Sequence, residues 1–213
     1  FYISNRNGTS VKSYELAWNY LKDNMVANGL HVYDTGPCGD WVGPMNIHHN
    51  VVMNQRAKGF NIGGTCDAGS GQISMPVNVY NNLFINTGTG PEFINTGNTL
   101  AAITIDVGGN SVYSNVNFYH NTIYSYSDNA VSASITKRAL NFVHPGTYIW
   151  RNNIVVDVNN LPYITSYQPK SPQTTSNNIW YNGGDSNPSS PPSWDTPWLN
   201  QASNPLFTSL STN

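Results

Sequence analysis

Few side chains in this chain can move a proton or hold a charge: five histidines, nine lysines and arginines, and eleven aspartates and glutamates. Several of them fall at matching places in recurring segments. His31, Asn61, Thr104 and Asn141 form one set, and Tyr33, Gly63, Asp106 and Val143 form another. Asp34, Lys58, Arg138 and His144 stand at the margins of the two sets. Removing a proton next to a carboxylate needs a base and a cation that stabilises the charge left behind. Lys58, His31 or Tyr33 could supply the base, and Arg138 or a bound Ca²⁺ the cation. Hydrolytic cleavage instead needs two carboxylates flanking the bond. Asp34 and Asp106 are the obvious pair, but they stand two repeats apart. At ~4.8 Å per repeat that is about 10 Å, near or beyond the usual inverting separation. The expected catalytic set is therefore Lys58, His31, Arg138 and Asp106. Tyr33, Asp34, Asn61, Asn141 and His144 are the expected binding groups.

The elements that must position these residues are written in six asparagines. Asn19, Asn50, Asn82, Asn121, Asn153 and Asn178 each close a look-alike segment, at spacings of 31, 32, 39, 32 and 25 residues. A repeat in this range marks a solenoid in which each unit covers the next. Before each asparagine, apolar residues alternate: Met45 and Ile47, Val77 and Val79, Val116 and Phe118, Tyr148 and Trp150. Such alternation marks a strand with one buried face. Two residues beyond each asparagine another apolar residue opens a second strand: Leu21, Val52, Phe84, Ile123, Val155 and Trp180. A third strand recurs as 30–33, 60–63, 103–106 and 140–143, with a weaker copy near Tyr163 and Ile164. Residues 1–4 already read as a third strand.

Three short strands per unit predict an all-β chain wound as a single-stranded parallel β-helix of about six coils. It covers 1–183, with a Pro/Ser-rich capping tail over 184–213. The asparagines should stack at one bend, because a side-chain amide carries both a donor and an acceptor. A sandwich or propeller would not place one residue type at one bend in successive units. The turns beside the third strand are long at 35–44, 67–76 and 87–99 and nearly absent at Gly146 and Thr147. Insertions of this kind form walls around a site on a regular scaffold. His48 and His49, read as neighbours on one strand, should point to opposite faces and so cannot hold one ion together. Tyr80, Tyr119 and Arg151 should line up outward on the first-strand face.

Only 9% of residues are charged and the net charge is −2, so no basic patch predicts a nucleic acid partner. The 38% hydrophobic and 12% aromatic content supports a packed core. No apolar run is long enough to span a membrane. The sequence shows neither an initiating Met nor a signal peptide, which reads as a processed or truncated product. The polar surface is rich in Asn, Ser, Thr, Gly and Tyr, a composition expected of a secreted or cell-surface protein. Cys38 and Cys66 fall on neighbouring units of one loop stack and are a candidate disulfide. The open third-strand edge at the start of the chain makes end-to-end self-association an expectation.

The units Val77-Asn-Val-Tyr-Asn-Asn-Leu-Phe84 and Val116-Asn-Phe-Tyr-His-Asn-Thr-Ile123, with the closing Asn204-Pro-Leu-Phe207, resemble the right-handed parallel β-helix superfamily typified by pectate lyases. The likeness covers roughly residues 1–183. It implies a right-handed coil and a groove along the outward face of one strand stack. It implies a polysaccharide partner, with lyase-type cleavage next to a uronic acid ahead of hydrolysis. Relatives also include fibres, tailspikes and adhesins, so a non-catalytic surface module is the alternative. The chain lacks the dense acidic clusters of lyase calcium sites. It also departs from the Asp-Pro-His-Glu motif of alginate epimerases after Asp34.

Overall fold

The computed structural model describes residues 1–5, 13–23, 28–34, 44–64, 72–73, 76–88, 100–107, 112–124, 137–157, 164–169, 174–182, 194–195 and 199–200. Every strand pairing among them is parallel, and strands pair with their equivalents one repeat away. The chain is a right-handed parallel β-helix. First strands stack as Tyr14–Ala17, Met45–His48, Val77–Tyr80, Val112–Tyr119, the end of Lys137–Arg151, and Thr174–Ser176. Second strands stack from Tyr20–Lys22 through Val51–Met53, Leu83–Ile85, Thr122–Tyr124 and Ile154–Asp157 to Ile179–Asn182. Leu199–Asn200 in the tail adds one more strand to that stack. Third strands run Tyr2–Asn5, Leu30–Asp34, Phe60–Gly64, Leu100–Val107, the start of Lys137–Arg151, and Ile164–Pro169. Where the turn is nearly absent, at Gly146 and Thr147, one 15-residue strand serves as the third strand of one coil and the first of the next.

The asparagine ladder explains why the bend repeats. Each of Asn19, Asn50, Asn82, Asn121 and Asn153 donates from its backbone N–H and its Nδ2 to the Oδ1 of the next ladder asparagine, at 2.8–3.2 Å. From Asn50 on, the Nδ2 also donates to a first-strand carbonyl of the preceding coil. One amide thus serves two coils in a place where an unpaired backbone group would be costly. The residue before each ladder asparagine is left-handed. Trp18, His49, Asn81, His120, Asn152 and Asn177 all have φ between 53° and 61°. Asn and His tolerate this region, whereas a bulky residue such as Trp18 seldom enters it.

A second ladder closes the second strands: Asn86 Nδ2 donates to Asn54 Oδ1 and Asn54 Nδ2 to Asp23 Oδ1. Its members are left-handed too. The C-terminal end of the main ladder is closed by the tail. Buried Asp195 accepts from Asn178 Nδ2 at 3.0 Å and from Trp180 Nε1 at 2.6 Å. Trp194 packs edge-on against Trp180. Trp198, Leu206 and Phe207 lie outside the described residues.

Inside the coil the alternating residues form one continuous core. Leu30, Phe60, Ile103 and Leu140 stack in register, as do Val32, Ile62, Ile105 and Phe142. Each fully buried side chain of this size contributes roughly 1.5–3 kcal/mol. The coils approach closely where the third strand begins. A Cβ on Gly29 would lie 2.7 Å from the Gly59 carbonyl oxygen, and one on Gly59 would lie 2.8 Å from that of Ala102.

Candidate functional site on the third-strand face

The register brings the expected columns together. His31 pairs with Asn61, Asn61 with Thr104 and Thr104 with Asn141. Tyr33 pairs with Gly63 and Gly63 with Asp106. These residues alternate with the core residues on the same strands, so the first column points away from the core. The column is nevertheless not an open solvated strip. Asn61 and Asn141 are 5% exposed, Thr104 is fully buried, and His31 is half-buried.

Within this buried column two polar atoms on adjacent strands lack a hydrogen-bond partner among the described residues: Asn61 Oδ1 and Thr104 Oγ1. Each such orphan costs about 1–3 kcal/mol, and Thr87 Oγ1 and Trp150 Nε1 are left in the same state elsewhere among the described residues. His31 adds a titratable group to the column. Its pKa is lowered to about 4, first by burial, then by the nearby Lys58 charge and the N-terminal ammonium. His31 is therefore a neutral imidazole at pH 7 and a weak base. Lys58 is itself buried, at the entry to the third strand, where its carbonyl accepts from the Gly29 N–H at 2.9 Å. The two expected bases, Lys58 and His31, are thus electrostatic neighbours.

The other expected residues are placed by backbone alone. Asp34 pairs with Gly64, and Gly64 with Val107. Asp34 and Asp106 are therefore two strands apart and one residue out of step. Arg138 pairs with Ala101, and His144 falls in the irregular stretch of Lys137–Arg151 facing Ile164–Pro169. Cys38 and Cys66, and the wall turns apart from Pro44, Gln72, Ile73, Pro76, Thr87 and Gly88, lie outside the described residues. Among the described residues no group of three or more His, Cys, Asp or Glu could hold a metal ion. No helix among them is long and apolar enough to cross a membrane.

One reading is corrected. His48 and His49 do not point apart: their Nδ1 atoms lie 2.7 Å from each other. Strand alternation ends at His48, because His49 is the left-handed bend residue and its side chain swings back beside its neighbour. The repeat itself carried the signal, since His49 is the residue just before ladder Asn50. The outward line of aromatics is present as a ladder. His48 stacks on Tyr80 at 4.6 Å, Tyr80 on Tyr119 at 4.9 Å, and the Arg151 guanidinium lies 5.7 Å from the Tyr119 ring. Ring faces used up by one another are closed to a sugar, so this ladder is cross-strand packing.

Comparison with protein-family models, curated proteins and solved structures finds no match.

Proposed function

We propose that this β-helix is a secreted or cell-surface protein of pectate-lyase-like lineage that binds polysaccharide along its third-strand face. The observation that carries the reading is the buried polar column His31–Asn61–Thr104–Asn141, with orphaned oxygens on Asn61 and Thr104. A sugar chain offers hydroxyls at a regular rise and can both donate to and accept from such a column. The coils supply polar groups at ~4.8 Å intervals, the strand spacing of a sheet.

Lyase-type cleavage is the chemistry this face suits best. Lys58 and His31 stand together, whereas the two carboxylates are out of step. Burial and the neighbouring Lys58 charge weaken His31 as a base and leave it a neutral hydrogen-bonding group. Arg138 and Asp106 share the same stack. The test is incubation with a uronate panel, followed by ultraviolet detection of unsaturated products. Activity that survives both Lys58→Ala and His31→Ala unchanged would remove these residues from the chemistry.

A second reading, a non-catalytic module that associates through its ends, draws on the exposed aromatics Phe1, Trp18 and Tyr20 on the first coil. Light scattering at high concentration separates the two, since end-to-end association predicts growing mass.

A further inference from the structure

Trp18 sits where the fold least favours it. The equivalent bend positions hold His49, Asn81, His120, Asn152 and Asn177, residue types that accept a left-handed backbone, whereas Trp18 holds φ 61°. Burial does not offset that strain, because Trp18 is 76% exposed. A strained, exposed aromatic that the fold does not need is a reason to look for a ligand.

The ring is held in place by a chain of hydrogen bonds. Glu15 Oε1 lies 2.8 Å from His48 Nε2, His48 Nδ1 lies 2.7 Å from His49 Nδ1, and Asn81 Nδ2 lies 3.4 Å from His49 Nε2. A carboxylate only accepts, so His48 carries its proton on Nε2 and accepts at Nδ1. His49 then donates from Nδ1 and accepts the Asn81 amide at Nε2. The two ring centroids are 5.0 Å apart, about as far as a 2.7 Å nitrogen contact allows. The nitrogens therefore meet head-on, as in a hydrogen bond, and do not converge on a shared metal ion. Trp18 stacks on the fixed His49 ring at 4.3 Å and 18°.

The orientation matters. His48, Tyr80 and Tyr119 stack coil upon coil, but His49 is turned 85° from His48 and 80° from Tyr80. The Trp18–His49 pair stands on edge to that stack. The bend position is exposed in the interior coils as well, at Asn81, His120 and Asn152.

We infer that Trp18 is a sugar-stacking platform, a second carbohydrate subsite at the bend between first and second strands, with Glu15, His48 and His49 as its positioning residues. Its occupant is the apolar face of a pyranose ring in an oligosaccharide. A single flat indole suits a ring with an apolar face and hydroxyl edges, and is small for a protein interface. The inference shares the carbohydrate reading of the third-strand face but none of its residues.

The test is calorimetric titration with two probes, a galacturonate hexamer and cellohexaose, alongside the fluorescence of the exposed indole. Trp18→Ala and Trp18→Asn are expected to weaken binding of at least one probe about tenfold or more. Asn relieves the backbone strain, so loss in that variant cannot come from unfolding. His49→Asn and Glu15→Gln are expected to weaken binding severalfold, with a shifted Trp18 emission that a merely supportive role would not produce. Thr104→Val reports the third-strand face separately: it leaves the Trp18 fluorescence response intact if the two sites are distinct. Wild-type affinity for both probes in both Trp18 variants overturns the inference. So does a Trp18→Ala variant whose only change is its mass in light scattering, which would assign the ring to a second copy of the chain.

Discussion

Replacing Asn121 by alanine strips the ladder at its middle, and the cost can be counted bond by bond. The variant loses the acceptor for the Asn82 backbone N–H, at 3.1 Å. That donor is buried and has no other partner among the described residues, so its loss costs about 1–3 kcal/mol. Three further bonds vanish, to Asn82 Nδ2, the Val79 carbonyl and Asn153 Oδ1. Their partners are less exposed to loss. Asn82 Nδ2 still donates to the Ile47 carbonyl, and Asn153 Oδ1 still accepts from the residue-121 backbone. These bonds together add about 1–2 kcal/mol, for a total of about 2–5 kcal/mol. Asn19→Ala is the control. Asn19 Nδ2 donates to the Ala17 carbonyl and to Asn50 Oδ1, and its backbone N–H keeps Asn50 Oδ1 in the variant. No buried donor is stranded, so the expected loss is about 1 kcal/mol. Urea unfolding followed by tryptophan fluorescence measures both. Equal losses at the two positions would refute the claim that each interior amide holds two coils.

Other outcomes follow from the same geometry. Gly59→Ala drives a Cβ to 2.8 Å from the Ala102 carbonyl oxygen, so thermal unfolding should reveal a loss of about 1–3 kcal/mol, as overpacking produces. Stability should fall as pH drops from about 6.5 toward about 4, because the unfolded chain protonates His31 before the folded chain does. His31→Gln should flatten that limb of the melting profile. Asp195 behaves oppositely, since burial raises its pKa against the hydrogen bonds from Trp180, Asn178 and Thr175. Its stabilisation is present below its unfolded pKa and is lost as pH rises through the folded one. The stability advantage of the wild type over Asp195→Asn should therefore shrink as pH rises, as melts across acidic pH will show.

The fold was legible because the β-helix writes one residue type at one bend. The spacing from Asn50 to Asn82 to Asn121 gave the register, and the register gave the pairing of His31 with Asn61 and Thr104. What the repeat could not show is what lies over a face. Alternation places Thr104 opposite the core, yet it is fully buried, which no spacing in the sequence signals. The contact between His48 and His49 was hidden for a local reason. Period-two reasoning holds only while the backbone stays extended, and His49 turns left-handed. Asp195 was equally unreadable, because a carboxylate that caps an amide ladder has no signature until the tail is seen against Asn178.

Thr104→Val tests the central claim most directly, because it asks opposite things of fold and function. The Thr104 hydroxyl is buried with no partner among the described residues. If it awaits a sugar hydroxyl, the valine variant should melt higher, by about 1 kcal/mol of relieved desolvation. It should also lose about tenfold or more in affinity for an oligouronate in calorimetric titration. A variant that binds as tightly as the wild type, or that unfolds more easily, would contradict the assignment of this face to polysaccharide.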